Sequence, residues 1–304
     1  MKILVLLASY LDTELPYTIQ HCIDNAEHPE NIRFAVILQH DNSDADIIDH
    51  LPYDIVMQKY HYSESKGVGW ARNKLLELYN NEDYVLQVDS HSRFAKNWDT
   101  ICVNELENLG PKSILSYLPW SYLKDKTLNQ DLYFVQKDEP TKLAVPNVKE
   151  IYHRHYVWYG GYDKVRDTQG KNISIPFVYG GFIFAPGNWY TEVPPDFNFY
   201  YSGEEQSIYL RTYTRGWNIY MPTRNIAWHY SASKDNPAPP SIRHNTDESI
   251  INELQKLSNE RMAKLLNNEI SGIYGLGTER TLEQWFEFSG VDFHKQTVII
   301  KDYD

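Results

Sequence analysis

Asp89 and His91 are the residues of this chain best placed to do chemistry. They end an apolar run, Tyr84-Val85-Leu86-Gln87-Val88, whose length and β-branched content predict a buried strand. Strand side chains alternate, so residues two apart project to the same side. A carboxylate and an imidazole presented together suit Mn²⁺ or a similar divalent ion. The carboxyl ends of strands in open α/β sheets are also where ligands bind. Taken alone, Asp-x-His also fits an ordinary polar loop after a strand.

Three further segments fit the same site. In Gly67-Val68-Gly69-Trp70-Ala71-Arg72-Asn73 the glycines allow close backbone approach, and the helix start after them can hold an anion. Arg72, in the first turn, suits a phosphate or a carboxylate of the site, or a surface ion pair. The segment has no third glycine and follows the wrong strand, so it is no dinucleotide fingerprint; nor is it a Walker loop. In Ser202-Gly203-Glu204-Glu205-Gln206 two acids open a helix, where the helix dipole favours them whatever their role. A carboxylate there can also orient or deprotonate a hydroxyl. Glu205 is the preferred residue of the pair and Glu204 the alternative. His229, between Trp228 and Tyr230, is either structural or the additional ligand that Asp89 and His91 would need.

Strand and helix patterns alternate in the elements that must carry these residues. Strands are expected at KILVLLASY (2–10), Arg33–His40, Asp54–Tyr60 and the run ending at Asp89, with helices at Thr18–Ala26, Trp70–Asn80 and Asn97–Leu109. Repeated strand–helix units predict an α/β fold with a mostly parallel sheet flanked by helices. The stretch 120–175 has no clean period and reads as loops and edge strands. Strands return at Ile114–Leu118, Phe182–Ala185, Asn218–Pro222 and Asn225–Tyr230, with a helix from about Glu204. The Pro-, Ser- and Asn-rich stretch 231–245 reads as a mobile loop. The segment 246–304 reads as a C-terminal helical extension, with helices over Thr246–Asn268 and after Thr281. The expected division is therefore 1–230, 231–245 and 246–304.

The chain has 304 residues, 42% hydrophobic and 23% charged, enough for a large soluble α/β core. A formal charge of -12 argues against a broad phosphate-binding surface and so does not favour a nucleic-acid partner. Cys22 and Cys102 are too few for a disulfide framework and read as buried thiols in a reducing, cytoplasmic setting. The apolar start is too short to span a membrane and reads as a strand. The 14% aromatic content suits either stacking on sugar rings or core filling.

Asp-Tyr-Val-Leu-Gln-Val-Asp-Ser-His-Ser-Arg-Phe (83–94), the upstream Gly-Trp-Ala-Arg-Asn, the Gly-Gly-Phe strand and the late Trp-His together resemble a known family. It is the cytoplasmic hydroxyproline-linked N-acetylglucosaminyltransferase (GlcNAc) family, with its bacterial and phage relatives. The resemblance covers about Lys2 to Tyr230. It implies a GT-A, Rossmann-like fold, a UDP-sugar donor, Mn²⁺ or Mg²⁺, and retention of anomeric configuration. It also implies metal ligands at Asp89, His91 and His229, donor contacts from Ser9, Arg72 and Ser90, and an acceptor-side carboxylate at Glu205 or Glu204. The expected activity is transfer of a sugar, GlcNAc first, to a hydroxyl on a protein or glycan. Transfer to a DNA base or a lipid-linked glycan, or sugar binding without turnover, are the alternatives.

Overall fold

The run Ile3–Tyr10 forms β1, whose apolar side chains are buried on both faces, as befits a strand between two parallel neighbours. Those neighbours are β2 (Ile32–His40) and β4 (Tyr84–Asp89), and β3 (Ile55–His61) closes the edge beyond β2. The computed structural model describes residues 1–303 apart from 126–129, 134–140, 146–147, 153–155, 160–164 and 233–236.

Among the described residues the main sheet has eight strands. The β4–β1–β2–β3 half is parallel throughout. On the other side of β4 the strand Phe182–Pro186 runs antiparallel to both β4 and β6 (Ser113–Ser116). Beyond β6 lie Asn218–Met221, parallel to it, and Ile173–Ile175, antiparallel. The sheet is thus mixed, with a parallel half that carries the expected site.

A second sheet forms where one continuous sheet was expected. Here β5 (Ser92–Phe94), Ala227–Tyr230, β7 (Trp120–Asp125) and β8 (Gln130–Tyr133) pair in that order. The segment 225–230 therefore leaves the main sheet. It pairs antiparallel with β5, with His229 opposite Ser92, and its Tyr230 N–H donates to the His91 carbonyl at 3.0 Å. This pairing brings His229 to the turn that follows β4.

The helices among the described residues are α1 (Leu15–Asp24), α2 (Val68–Leu75), α3 (Trp98–Leu109), α4 (Gly187–Glu192), α5 (Glu204–Thr214), α6 (Glu248–Leu266) and α7 (Leu282–Ser289). α1 starts before the expected Thr18, because Pro16 suits a first helical turn, where no N–H is needed. α2 ends at Leu75 and tightens into a 3₁₀ turn over Leu76–Leu78 instead of running to Asn80.

The C-terminal segment shares the main core. Met262, Leu265, Trp285, Phe293 and Tyr303 belong to the same buried cluster as the sheet. Trp285 stacks on Tyr209 of α5 at 5.1 Å and on Phe293 at 5.8 Å, and its indole N–H donates to the Pro176 carbonyl at 3.0 Å. Truncating this fully buried ring in Trp285→Ala is expected to cost about 3–5 kcal/mol. Urea unfolding checks this; a loss below about 1 kcal/mol, the scale of a surface change, would mean that the segment merely lies on the domain. The same segment braces the loop before α5: Ser258 Oγ accepts the Tyr200 N–H at 3.0 Å, and Arg261 pairs with Asp196 at 2.8 Å.

Candidate active site

β4 ends at Asp89, level with Ala8 of β1, and Ser90-His91 then form a tight turn into β5. The turn, and not a continued strand, brings Asp89 and His91 together; Ser92 Oγ closes it by donating to the Asp89 carbonyl at 2.8 Å. His229 arrives from the second sheet. One ligand atom from each of Asp89, His91 and His229 lies within 4.8 Å of the other two. His229 Nε2 is 3.2 Å from Asp89 Oδ2 and 3.0 Å from His91 Nε2.

This donor set fits a divalent cation. It offers one hard oxygen and two imidazole nitrogens at a common point, and Mn²⁺ accepts both kinds of donor. The two imidazole nitrogens, 3.0 Å apart, can share an N–H···N hydrogen bond or both turn lone pairs to one cation.

Asp12 lies behind His91, with its Oδ2 2.7 Å from His91 Nδ1 and accepting from Ser90 Oγ at 2.5 Å. Burial would lower the His91 pKa, but the Asp12 hydrogen bond and charge, with the Asp89 and Glu14 charges, together more than offset it and the pKa is raised. Burial would raise the Asp89 carboxyl, yet the His229 hydrogen bond and the Arg72 charge hold it well below the usual carboxylate range. Asp89 is therefore an anion, as a metal ligand must be. Sequence reasoning passed over Asp12; the available signal was an acid two residues past the end of the first strand.

Arg72 is buried, and three protein groups occupy its guanidinium. It donates to Glu204 Oε2 at 2.9 Å, to Asp89 Oδ1 at 3.1 Å and to the Gly180 carbonyl at 3.1 Å. Of the roles open to it, this structure shows pairing with the site carboxylates. The Gly180-Gly181 pair makes the room: a Cβ on Gly180 would lie 2.5 Å from Arg72 Nη1, and one on Gly181 would lie 3.3 Å from Asp89 Oδ2.

The acidic pair divides as adjacent helical residues must. Glu204 is 2% exposed and bound to Arg72. Glu205 is partly exposed and accepts the Gly180 N–H at 2.6 Å. Burial, with the nearby Glu204 charge, pushes its carboxyl up to about 7 despite that hydrogen bond.

The structure places other expected contacts elsewhere. Ser9 is completely buried, and its neighbours Ala8 and Tyr10 line the cleft instead, a consequence of strand alternation. The Ser90 hydroxyl turns to Asp12. The start of α2 is not open to an anion, because the Val68 and Gly69 N–H groups donate to the Tyr200 and Phe199 carbonyls at 2.8 and 3.2 Å. Gly67 (φ 101°) and Gly69 permit that approach; a Cβ on either would lie within 2.5 Å of those carbonyl oxygens.

Beside the three convergent residues lies a cleft of about 360 Å³. Tyr10, Gln39 and Ser65 line it, together with Ala238 to His244. The latter belong to the Pro-rich stretch expected to be a loop; residues 233–236 of that stretch lie outside the described residues. The Arg243 guanidinium stacks 4.1 Å from the Tyr201 ring centroid. Among the described residues no helix is long and apolar enough to cross a membrane.

A mixed sheet with a parallel half, and an Asp-x-His turn at its carboxyl edge, define a GT-A glycosyltransferase fold, and solved structures agree. The fold matches GalNAc-T7 with UDP, GalNAc and Mn²⁺ (TM-score 0.63, 11% identity, 98% of this chain and 55% of that one). It also matches S. aureus TarS 1-349 in complex with UDP-GlcNAc (0.53, 12% identity, 95% and 74%). A third match is the mannosyltransferase PcManGT from Pyrobaculum calidifontis with GDP-Man and Mn²⁺ (0.50, 11% identity, 77% and 58%). The chain thus spans about half the length of the GalNAc-T7 chain. No curated protein matches it in sequence. The family model described as Glycosyltransferase (GlcNAc) matches residues 49–295, and the chain belongs to that family.

Proposed function

We infer that this protein transfers a sugar, GlcNAc in the first instance, from a UDP-sugar to a hydroxyl acceptor, with retention of anomeric configuration. The observation that carries this reading is the convergence of Asp89, His91 and His229 at the wall of a cleft. Family membership supports the GlcNAc assignment. The likeness of residues 83–94 to the hydroxyproline-linked enzymes supports retention and a protein acceptor. Asp89, His91 and His229 would hold Mn²⁺, or Mg²⁺ with less good ligands, since Mg²⁺ prefers oxygen throughout. A bound cation would offset the negative charge of the leaving diphosphate.

The chain's own residues do the rest. Arg72 keeps Asp89 Oδ1 engaged and leaves Oδ2 facing His229. Glu205 is the acceptor-side carboxylate, and it orients the hydroxyl whose oxygen forms the new bond to the anomeric carbon as the bond to the diphosphate oxygen breaks. The hydroxyl proton passes to the leaving phosphate on the same face. The loop wall from Ala238 to His244 shields the donor from water. Cys22 and Cys102 are buried free thiols, which supports a reducing, cytoplasmic compartment.

Because Arg72 is held by Glu204, Asp89 and the Gly180 carbonyl, Arg243 is the residue assigned to the diphosphate. It lines the cleft, and among the described residues its guanidinium has no carboxylate partner. A charge-assisted hydrogen bond is worth roughly 1.5–3 kcal/mol, so Arg243→Ala is expected to raise the donor KM about tenfold or more. kcat should change little, because the contact exists before and during transfer. An unchanged donor KM would show that the diphosphate is held elsewhere.

The function itself is tested by incubating the protein with labelled UDP-sugars and Mn²⁺ or Mg²⁺, with separate protein, glycan and DNA pools as acceptors. Label in the protein pool, from UDP-GlcNAc above other donors, is the expected result. Label in another pool would move the acceptor class, and absence of metal-dependent UDP release would end the reading.

A further inference from the structure

Asp12 lies two residues past β1 and is 4% exposed. Each of its oxygens faces a donor. Oδ1 accepts the main-chain N–H of Glu14 at 3.0 Å. Oδ2 accepts from Ser90 Oγ at 2.5 Å and lies 2.7 Å from His91 Nδ1. An ionised carboxylate has no proton to give, so the proton in the His91 contact sits on Nδ1. The neutral ring then carries its lone pair on Nε2, the atom that points at His229 Nε2.

We propose that Asp12 is a positioning residue that locks His91 in the Nδ1–H tautomer and so presents Nε2 to a divalent cation. The proposal rests on the reading of Asp89, His91 and His229 as a metal centre. A carboxylate behind a ligating imidazole fixes both ring orientation and basicity. Thr18 of α1 holds the same turn independently: it accepts the Ser92 N–H at 2.9 Å and donates to the Ser90 carbonyl at 2.8 Å. The turn bearing His91 is thereby fixed from both sides.

Asp12→Asn separates this role from simple packing. The Glu14 N–H is a fixed main-chain donor, so the amide oxygen of the new side chain must face it. The amide NH₂ is then turned toward Ser90 and His91. Nδ1 of His91 must accept from it, and the ring proton moves to Nε2, where it blocks a metal bond. A purely structural Asp12 would lower stability without moving that proton.

The test reads the His91 ring by ¹⁵N NMR in metal-free protein, in alkaline buffer where the imidazoles are neutral, with the signal assigned by its loss in His91→Gln. Mn²⁺ alone is then titrated and followed by electron paramagnetic resonance. In the wild type the proton is expected on Nδ1. In Asp12→Asn it is expected on Nε2, with Mn²⁺ affinity lower by about 10- to 100-fold. A wild-type ring protonated on Nε2 would overturn the proposal with no variant needed, which keeps it testable should Asp12→Asn fail to fold. Mn²⁺ affinity in Asp12→Asn within about twofold of wild type, well inside the expected range, would sink the positioning role alone. No Mn²⁺ binding by the wild type would sink the metal centre and this role with it.

Discussion

Asp89→Ala is expected to abolish metal-dependent donor binding while the protein stays folded. Asp89 supplies the only carboxylate of the convergent set, and its Oδ2 lies 3.2 Å from His229 Nε2. Loss of a residue that merely supports a ligand already costs about 10- to 100-fold in metal affinity, and loss of a ligand should exceed that. The fold should survive because Arg72 keeps Glu204 at 2.9 Å and the Gly180 carbonyl at 3.1 Å, so its charge remains paired. Calorimetric titration of UDP with and without Mn²⁺, beside a thermal melt, reads both parts. Undiminished Mn²⁺-dependent binding in a folded Asp89→Ala protein would place the cation elsewhere.

Glu205→Gln is expected to cut transfer by about a hundredfold or more, the scale for misplacing a reacting group, with UDP affinity almost unchanged. Glutamine keeps an oxygen for the Gly180 N–H, so the change removes charge and basicity more than shape. If Glu204→Gln is the damaging change and Glu205→Gln is silent, the roles are reversed; if both are silent, the pair only opens the helix.

Glu205 also makes a pH prediction. Its folded-state pKa, pushed up to about 7 by burial, lies above the ordinary value of 4.5. Between those values the native state of the metal-free protein holds more protons than the unfolded chain, so stability falls as pH rises through that window. The stabilising contribution is complete below about 4.5 and gone above about 7. Glu205→Gln should flatten this slope and make the metal-free protein more stable than wild type at pH 8. Urea unfolding of both proteins at pH 5 and pH 8 checks it, and parallel slopes would show that Glu205 is not the group responsible. Transfer should rise with pH in the wild type as the carboxylate ionises.

Local rules read much of this chain correctly from residue order. The runs at Ile3–Tyr10, Ile32–His40 and Tyr84–Asp89 are continuous and apolar because both faces of the parallel half are covered, so the strand pattern shows in one segment at a time. Thr281 is the N-cap of α7 and forms a capping box with Gln284, which is a four-residue signal. Asp89 was legible for the same reason, since it ends a strand of unmistakable pattern; that a turn folds His91 back beside it was not.

Contacts between distant segments were decided only by the tertiary structure. His229 meets His91 across 138 positions because Ala227–Tyr230 pairs with β5 in a second sheet, and no local period marks which sheet a short strand will join. The same limit hid Asp12, which is a loop acid by composition and a partner of His91 only once β1 and β4 lie side by side. It also reversed the reading of the glycines before α2. They suggested an open anion site, but the loop before α5 closes on them and takes the Val68 and Gly69 N–H groups. Arg72 shows the division most plainly. Its sequence position offered phosphate, carboxylate or surface ion-pair roles alike, while the carboxylate it pairs with, Glu204, lies 132 positions away and meets it only in the folded chain.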